Sequence, residues 1–204
     1  MRIDQKLVKH WIAPHSRVLD LGCGDGSLLA HMQHSLGVTG YGLELDGDKI
    51  NQGIAKGLSI IEQDLNDGLA RFDDDSFDTV VMARALQAVK SPDTLLLDML
   101  RVGREAVITF PNFAHWQNRL HLGLKGLMPV SEALPYEWYD TPNIHLCTFK
   151  DFEKLCLDND IRIMNRFAVS DSTRIRTPIM TSLIRQAPNL LADVAIYRVT
   201  KRGS

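Results

Sequence analysis

The sequence predicts an α/β fold: a mostly parallel, seven-stranded sheet with an antiparallel edge strand and helices on both faces. Three observations carry that expectation. Five short apolar runs alternate with stretches of helical periodicity through the first 110 residues. Runs such as Val80-Val81-Met82 and Ala106-Val107-Ile108 lack polar alternation, as strands buried on both faces do. Two further strand candidates near the end of the chain read as an antiparallel edge pair. At 204 residues a single domain over 1–204 is expected, with an aromatic- and proline-rich insertion at about 111–148.

Each element has a local reason. Residues 3–12 place Ile3, Leu7, Val8, Trp11 and Ile12 at helical spacing, and Pro14 stops that helix. Arg17 to Leu21 reads as a buried strand that runs into Gly22-Cys23-Gly24-Asp25-Gly26. A helix follows from Ser27 to Leu36 and ends at Gly37. Thr39 to Leu45 is the second strand, with helical residues from about Asp48 to Lys56. Leu58 to Gln63 is a third short run ending at Asp64. The acidic turn Asp73-Asp74-Asp75-Ser76 leads into strand Phe77 to Met82. Ser91-Pro92 sets a cap and then a proline at the start of a helix to Val102, and Glu105 to Phe110 is the fifth strand. After Pro111 the rhythm breaks. The stretch from Phe110 to Phe149 contains seven of the fourteen aromatics and four of the eight prolines. A helix is expected again over Thr148 to Leu157, then strands at Arg162 to Val169 and Asp193 to Thr200.

Composition narrows the function classes. Hydrophobic residues make up 45% and charged residues 24%, with a net charge of −2, which argues against a dedicated nucleic-acid binder. No run of 18 apolar residues exists, and the first residues are mixed rather than an apolar signal core. Three scattered cysteines, Cys23, Cys147 and Cys156, form no disulfide framework and suit a reducing, cytoplasmic setting. Charge is uneven. Residues 1–110 hold 16 acidic and 11 basic side chains, whereas residues 160–204 hold 3 and 8. The basic end reads as a solvated face or as a surface for an anionic ligand or partner.

The strand–glycine–helix unit is the strongest motif. Glycine lets backbone turn tightly and approach a ligand, and the helix start beyond offers N–H groups and a positive dipole. The spacing here is D-x-G-x-G-x-G over Asp20 to Gly26, not the dinucleotide G-x-G-x-x-G, and no P-loop is present. Glu44 falls near the end of the second strand, where a carboxylate can accept both hydroxyls of a ribose. Asp64 ends the third strand, where it can accept from an exocyclic amine such as that of adenine.

Val18-Leu19-Asp20-Leu21-Gly22-Cys23-Gly24-Asp25-Gly26 resembles the first motif of class I S-adenosylmethionine-dependent methyltransferases, whose Rossmann-like fold has this element order. That resemblance implies a cofactor site in which Asp20, Gly22, Cys23, Gly24 and Gly26 hold the methionine part. Glu44, with Leu45 beside it, would hold the ribose, and Asp64 with Leu65 the adenine. Two further blocks, Ile108 to Trp116 and Leu134 to Thr148, are similar to the methionine-biosynthesis protein family MetW. The similarity runs over nearly the whole chain and implies a partner, a homoserine O-acyltransferase, that such proteins support. At Ala83-Arg84 small or polar residues would be expected, so Arg84 is read as reaching the ligand site or a partner.

No catalytic residue is assigned. His115, Tyr136, Tyr139, Asp140 and His145 are the candidates near the expected pocket. Trp116 and Trp138 are expected to pack a proline-rich flap rather than form a substrate cage, and His145 to bond backbone rather than act as a base. Among His115, His121, His145 and Cys147 no tight ligand pair occurs, so no metal is expected. Cys23 stands near a helix start, which would lower its pKa, and it is read as a small residue lining the cofactor pocket. No nucleophile elbow or triad can be assembled, so the chain is not expected to carry out acyl transfer itself. Two readings follow: an accessory protein that binds S-adenosylmethionine or S-adenosylhomocysteine and supports or regulates a homoserine O-acyltransferase, or a methyltransferase for a small molecule.

Overall fold

The computed structural model describes residues 3–131, 133–170 and 178–202. In chain order the helices and strands are α1 (Ile3–Val8), β1 (Arg17–Leu21), α2 (Ser27–Leu36), β2 (Thr39–Glu44), α3 (Gly47–Ala55) and β3 (Ile60–Glu62). Then come β4 (Phe77–Ala83), α4 (Pro92–Val102), β5 (Gly103–Pro111), α5 (Trp116–Lys125) and α6 (Phe149–Asp158). β6 (Ile161–Val169), α7 (Pro178–Gln186), α8 (Pro188–Leu191) and β7 (Val194–Lys201) complete the order.

The strands form one seven-stranded sheet in the order β3-β2-β1-β4-β5-β7-β6. β1 to β5 are mutually parallel. The antiparallel pair expected at the edge is present: β6 is the edge strand, and β7 lies between β5 and β6, antiparallel to both. The order reverses at β1, with β2 on one side and β4 on the other, which opens a crevice at the carboxyl ends of these strands.

The pleat divides the core in two. On one face Val18, Val81, Val107 and Ile196 pack with Val8 of α1 and Leu28, Leu29 and Met32 of α2. Their neighbours Leu19, Val80, Met82, Ala106 and Ile108 face the other way, onto Leu95, Leu96, Met99 and Leu100 of α4. An aromatic cluster extends that second core, with Phe110 stacked on Tyr197 at 6.0 Å and Phe152 against Tyr197 at 4.6 Å.

Boundaries differ modestly from expectation. The first helix stops at Val8 and tightens into a 3-10 turn over Lys9–Trp11. The third strand is only Ile60–Glu62. α6 starts where Thr148 and Asp151 form a reciprocal capping box. Between Pro111 and Thr148 the sequence announces no element, yet α5 forms there, ended by Gly126 in a left-handed conformation.

Candidate functional site

The glycine loop links β1 to α2 and sits at the crevice. Gly22, Gly24 and Gly26 all have positive φ, at 65°, 58° and 72°. At Gly26 space adds to the conformational demand, because a Cβ there would stand 2.2 Å from Leu58 Cδ1. At Gly24 a Cβ would meet nothing within 4 Å, so the space over this residue is open.

Asp20 ends inside this loop's base. It is 1% exposed, and burial, with the nearby Glu44 carboxylate second, pushes its pKa up to about 7. Its Oδ2 is buried without a hydrogen-bond partner. Glu44 closes the loop from β2: the Gly24 N–H donates to Oε2 at 2.8 Å. The N–H groups of Leu45 and Asp46 donate to Oε1 at 2.9 and 3.0 Å. Asp64, after β3, caps a short 3-10 turn, and its Oδ1 accepts from the Asn66 N–H and Nδ2 at 2.9 and 2.8 Å. Leu45 and Asp64 line the same cavity of about 550 Å³, together with Gln63 and Arg71. Leu65 lies beside Gly22, its Cδ1 3.8 Å from where a Cβ would be. The residues predicted from the sequence therefore converge on the ends of β1, β2 and β3.

Cys23 behaves differently from its expected helix-start effect. Burial raises its thiol to about 12, reinforced by Asp20 and Glu44, so the group is a neutral thiol. Its Sγ packs over Gly42, where a Cβ would stand 2.5 Å away. Gly42 went unnoticed in the sequence, although Gly40 and Gly42, two residues apart on one strand face, were a legible signal of close backbone approach.

Arg84 does not enter the crevice. It has φ 64°, its N–H donates to Thr109 O at 2.9 Å, and its Nε bonds the fully buried Asp4 Oδ2 of α1 at 2.8 Å. Arg84 thus fastens the first helix to the carboxyl end of β4.

The candidate base residues separate into two groups. His115 is 3% exposed, its Nδ1 3.4 Å from Asp193 Oδ1, and burial lowers its pKa while Asp193 opposes the shift. Asn112 beside it donates to Ala192 O at 2.8 Å, so this corner ties the end of β5 to the approach of β7. His145 bonds backbone, as expected, with Nε2 3.2 Å from Lys90 O. Ile144 and His145 N–H groups both donate to Gln87 O, at 2.8 and 3.0 Å, and the Lys90 N–H donates to Asn66 Oδ1 at 2.8 Å. Gln87 and Asn66 had no signal in the sequence. Trp116 and Trp138 do not pack as expected: they are 43% and 71% exposed, and Tyr139 is 72% exposed. Trp138 and Tyr139 meet edge to face at 5.6 Å yet keep most of their surface in solvent. Among the described residues no group of three His, Cys, Asp or Glu side chains could hold a metal ion, and no helix is long and apolar enough to cross a membrane.

Comparison with known proteins gives this geometry a family. The family model described as methionine biosynthesis protein MetW matches residues 2–199. A bifunctional methionine biosynthesis protein MetXA/MetW from Rhodopirellula baltica is 34% identical over 207 residues, covering 96% of this chain but only 32% of its own length. A norajmaline N-methyltransferase from Rauvolfia serpentina is 28% identical over 124 residues, covering 57% of this chain and 39% of its own. The chain thus spans about a third of the curated relatives it matches. In fold it is similar to an S-adenosylmethionine-dependent methyltransferase from Mesorhizobium loti, with a TM-score of 0.69, 16% identity and 95% of each chain covered. The seven-stranded sheet is therefore that of the Rossmann-like class I methyltransferases, and the chain belongs to the MetW family of methionine biosynthesis proteins.

Proposed function

We propose that this chain binds S-adenosylmethionine or S-adenosylhomocysteine at the carboxyl ends of β1 to β3 and supports or regulates a homoserine O-acyltransferase. The convergence of Asp20, Glu44 and Asp64 around the left-handed glycine loop carries the ligand half of this reading. The residues fit such a group. Asp20 presents a buried acceptor without a partner, suited to an amine, and open space lies over Gly24. Glu44 would take the ribose hydroxyls, Asp64 the adenine amine, and Leu45 and Leu65 the faces of the base. Gly22, Cys23 and Gly26 would complete the wall. The sulfonium of S-adenosylmethionine supplies an activated methyl group, and the side chains here bind and orient rather than move protons.

The partner half rests on the Rhodopirellula protein, whose name joins MetXA to MetW in one chain, and on the association that the family resemblance implies. Linking two modules raises their effective concentration for each other to the order of millimolar. The thiols of Cys23, Cys147 and Cys156 are all pushed up to about 12, chiefly by burial.

Titration calorimetry with S-adenosylmethionine and S-adenosylhomocysteine tests the ligand half, and heats no larger than buffer would end it. Assay of the acyltransferase alone and with this chain tests the other half. Full activity without the chain, unchanged on its addition, would remove the accessory role. Turnover of labelled cofactor with a metabolite would favour the methyltransferase reading, to which the resemblance to a named N-methyltransferase gives some support.

A further inference from the structure

We infer that the apolar face made by α5 and the flap around residues 136–146 is the surface on which the acyltransferase docks; the inference rests on the partner reading above. α5 has ten residues, of which only Asn118 is buried, and Asn118 makes a polar contact, donating to Phe113 O at 3.2 Å. Leu120 and Leu124 are 50% and 77% exposed, and Leu127 just beyond is 63% exposed. A helix shorter than about 12 residues is marginal in water and normally gains its stability by burying an apolar stripe. Among the described residues α5 has no such burial.

The flap continues the face. Met128, just past α5, lines the same narrow cleft as Tyr136, Trp138 and Leu146. Trp138 and Tyr139 meet edge to face at 5.6 Å and stand in solvent together. Rigid aromatic side chains of this kind are the usual anchors of protein interfaces. The rim carries both signs, Arg119 and Lys125 from α5 and Glu137 and Asp140 from the flap. The acidic side chains of the flap give this rim a mixed charge that suits a protein surface.

Two observations select the occupant. The Rhodopirellula relative is named as a MetXA/MetW protein in one chain, which keeps two such modules within reach of each other. The flap is also strapped to the ligand crevice: His145 bonds Lys90 O, the Lys90 N–H bonds Asn66, and Asn66 bonds Asp64. A protein seated on the flap therefore touches a segment hydrogen-bonded to the nucleoside site, as an acyltransferase responding to that site requires.

The test uses the full chain and the acyltransferase of the same organism, with association measured by calorimetry and size-exclusion chromatography. Leu124→Glu and Trp138→Glu are expected to weaken association at least about tenfold each. Both should keep the wild-type Tm and S-adenosylhomocysteine binding, because both side chains are solvent-exposed. Leu157→Glu, at a 71% exposed position on α6, should leave association unchanged. Wild-type association that both face variants preserve would overturn the docking assignment while leaving the partner reading intact. No association of the wild type, with ligand or without, would overturn both. Self-association of this chain that the variants abolish, without effect on the acyltransferase, would give the face to a second copy. Binding to phosphatidylcholine–phosphatidylserine vesicles lost in the variants, with acyltransferase association unchanged, would give it to a membrane.

Discussion

Asp20 shows at single-residue scale how a binding site costs stability. Its carboxyl has a native pKa of about 7 against an ordinary 3.8, so between these values the folded chain holds more protons than the unfolded chain. Stability from this group is full below about pH 4 and is lost as pH rises through about 7. Asp20→Asn should therefore raise the Tm of the ligand-free protein at pH 8, by roughly 2–4 °C per kcal/mol recovered in a chain of this size. The gain should vanish near pH 4. The same substitution should weaken ligand binding, and a pH-independent Tm difference would contradict the assignment. Glu44 makes the complementary case. A ligand at a hundredfold excess over its Kd stabilises by about 2.7 kcal/mol, and Glu44→Ala should remove most of the resulting S-adenosylmethionine thermal shift. At this scale the sequence was informative wherever a residue acts through its own strand end. Asp20 lies in β1 one residue from its end, Glu44 ends β2 and Asp64 follows β3 by two residues, so the strand pattern gave their positions. Asn66, Gln87 and Arg84 act through partners 24 to 80 residues away, at Lys90, Pro111 and Asp4, and local pattern holds no record of such pairing.

Among the elements, α1 shows what one ion pair does for a short helix. It has six residues, too few to persist alone. Val8 contributes to the core beneath it, and Asp4 is wholly buried against Arg84. Removing Asp4 takes away the buried acceptor of the Arg84 Nε bond. Asp4→Ala should destabilise the chain at the lower end of about 3–5 kcal/mol, since Arg84 keeps some exposure. Urea unfolding measures this, and the double change Asp4→Ala, Arg84→Ala should cost less than the single one. α6 was legible because Thr148 and Asp151 have capping-box spacing and Phe149, Phe152 and Cys156 form a buried stripe. α5 was not, because a helix that buries only Asn118 leaves no inward periodicity to read. The aromatics of its neighbourhood were visible in the sequence, but their abundance does not say which way they face.

For the whole molecule, the strap from Asp64 through Asn66 and Lys90 to His145 links the crevice to the open flap. Saturating S-adenosylhomocysteine should slow amide hydrogen exchange at Ile144 and His145, whose N–H groups bond Gln87 O. Asn66→Ala should reduce that protection while binding itself persists, and equal protection in the variant would show the strap to be irrelevant. The sheet order has a consequence for how the chain assembles. β6 is made before β7, yet among the described residues β7 is its one strand neighbour. Until β7 emerges, β5 presents a bare edge to solvent and β6 runs in the same direction as β5, able to pair with it in a wrong parallel register. β7 must then enter between two strands already formed, closing one contact with β6 nearby and another with β5 more than 80 residues away. Such late, non-local closure is slow relative to local pairing. During synthesis the β5 edge is thus the place where a chaperone or a neighbouring nascent chain competes with the protein's own final strand.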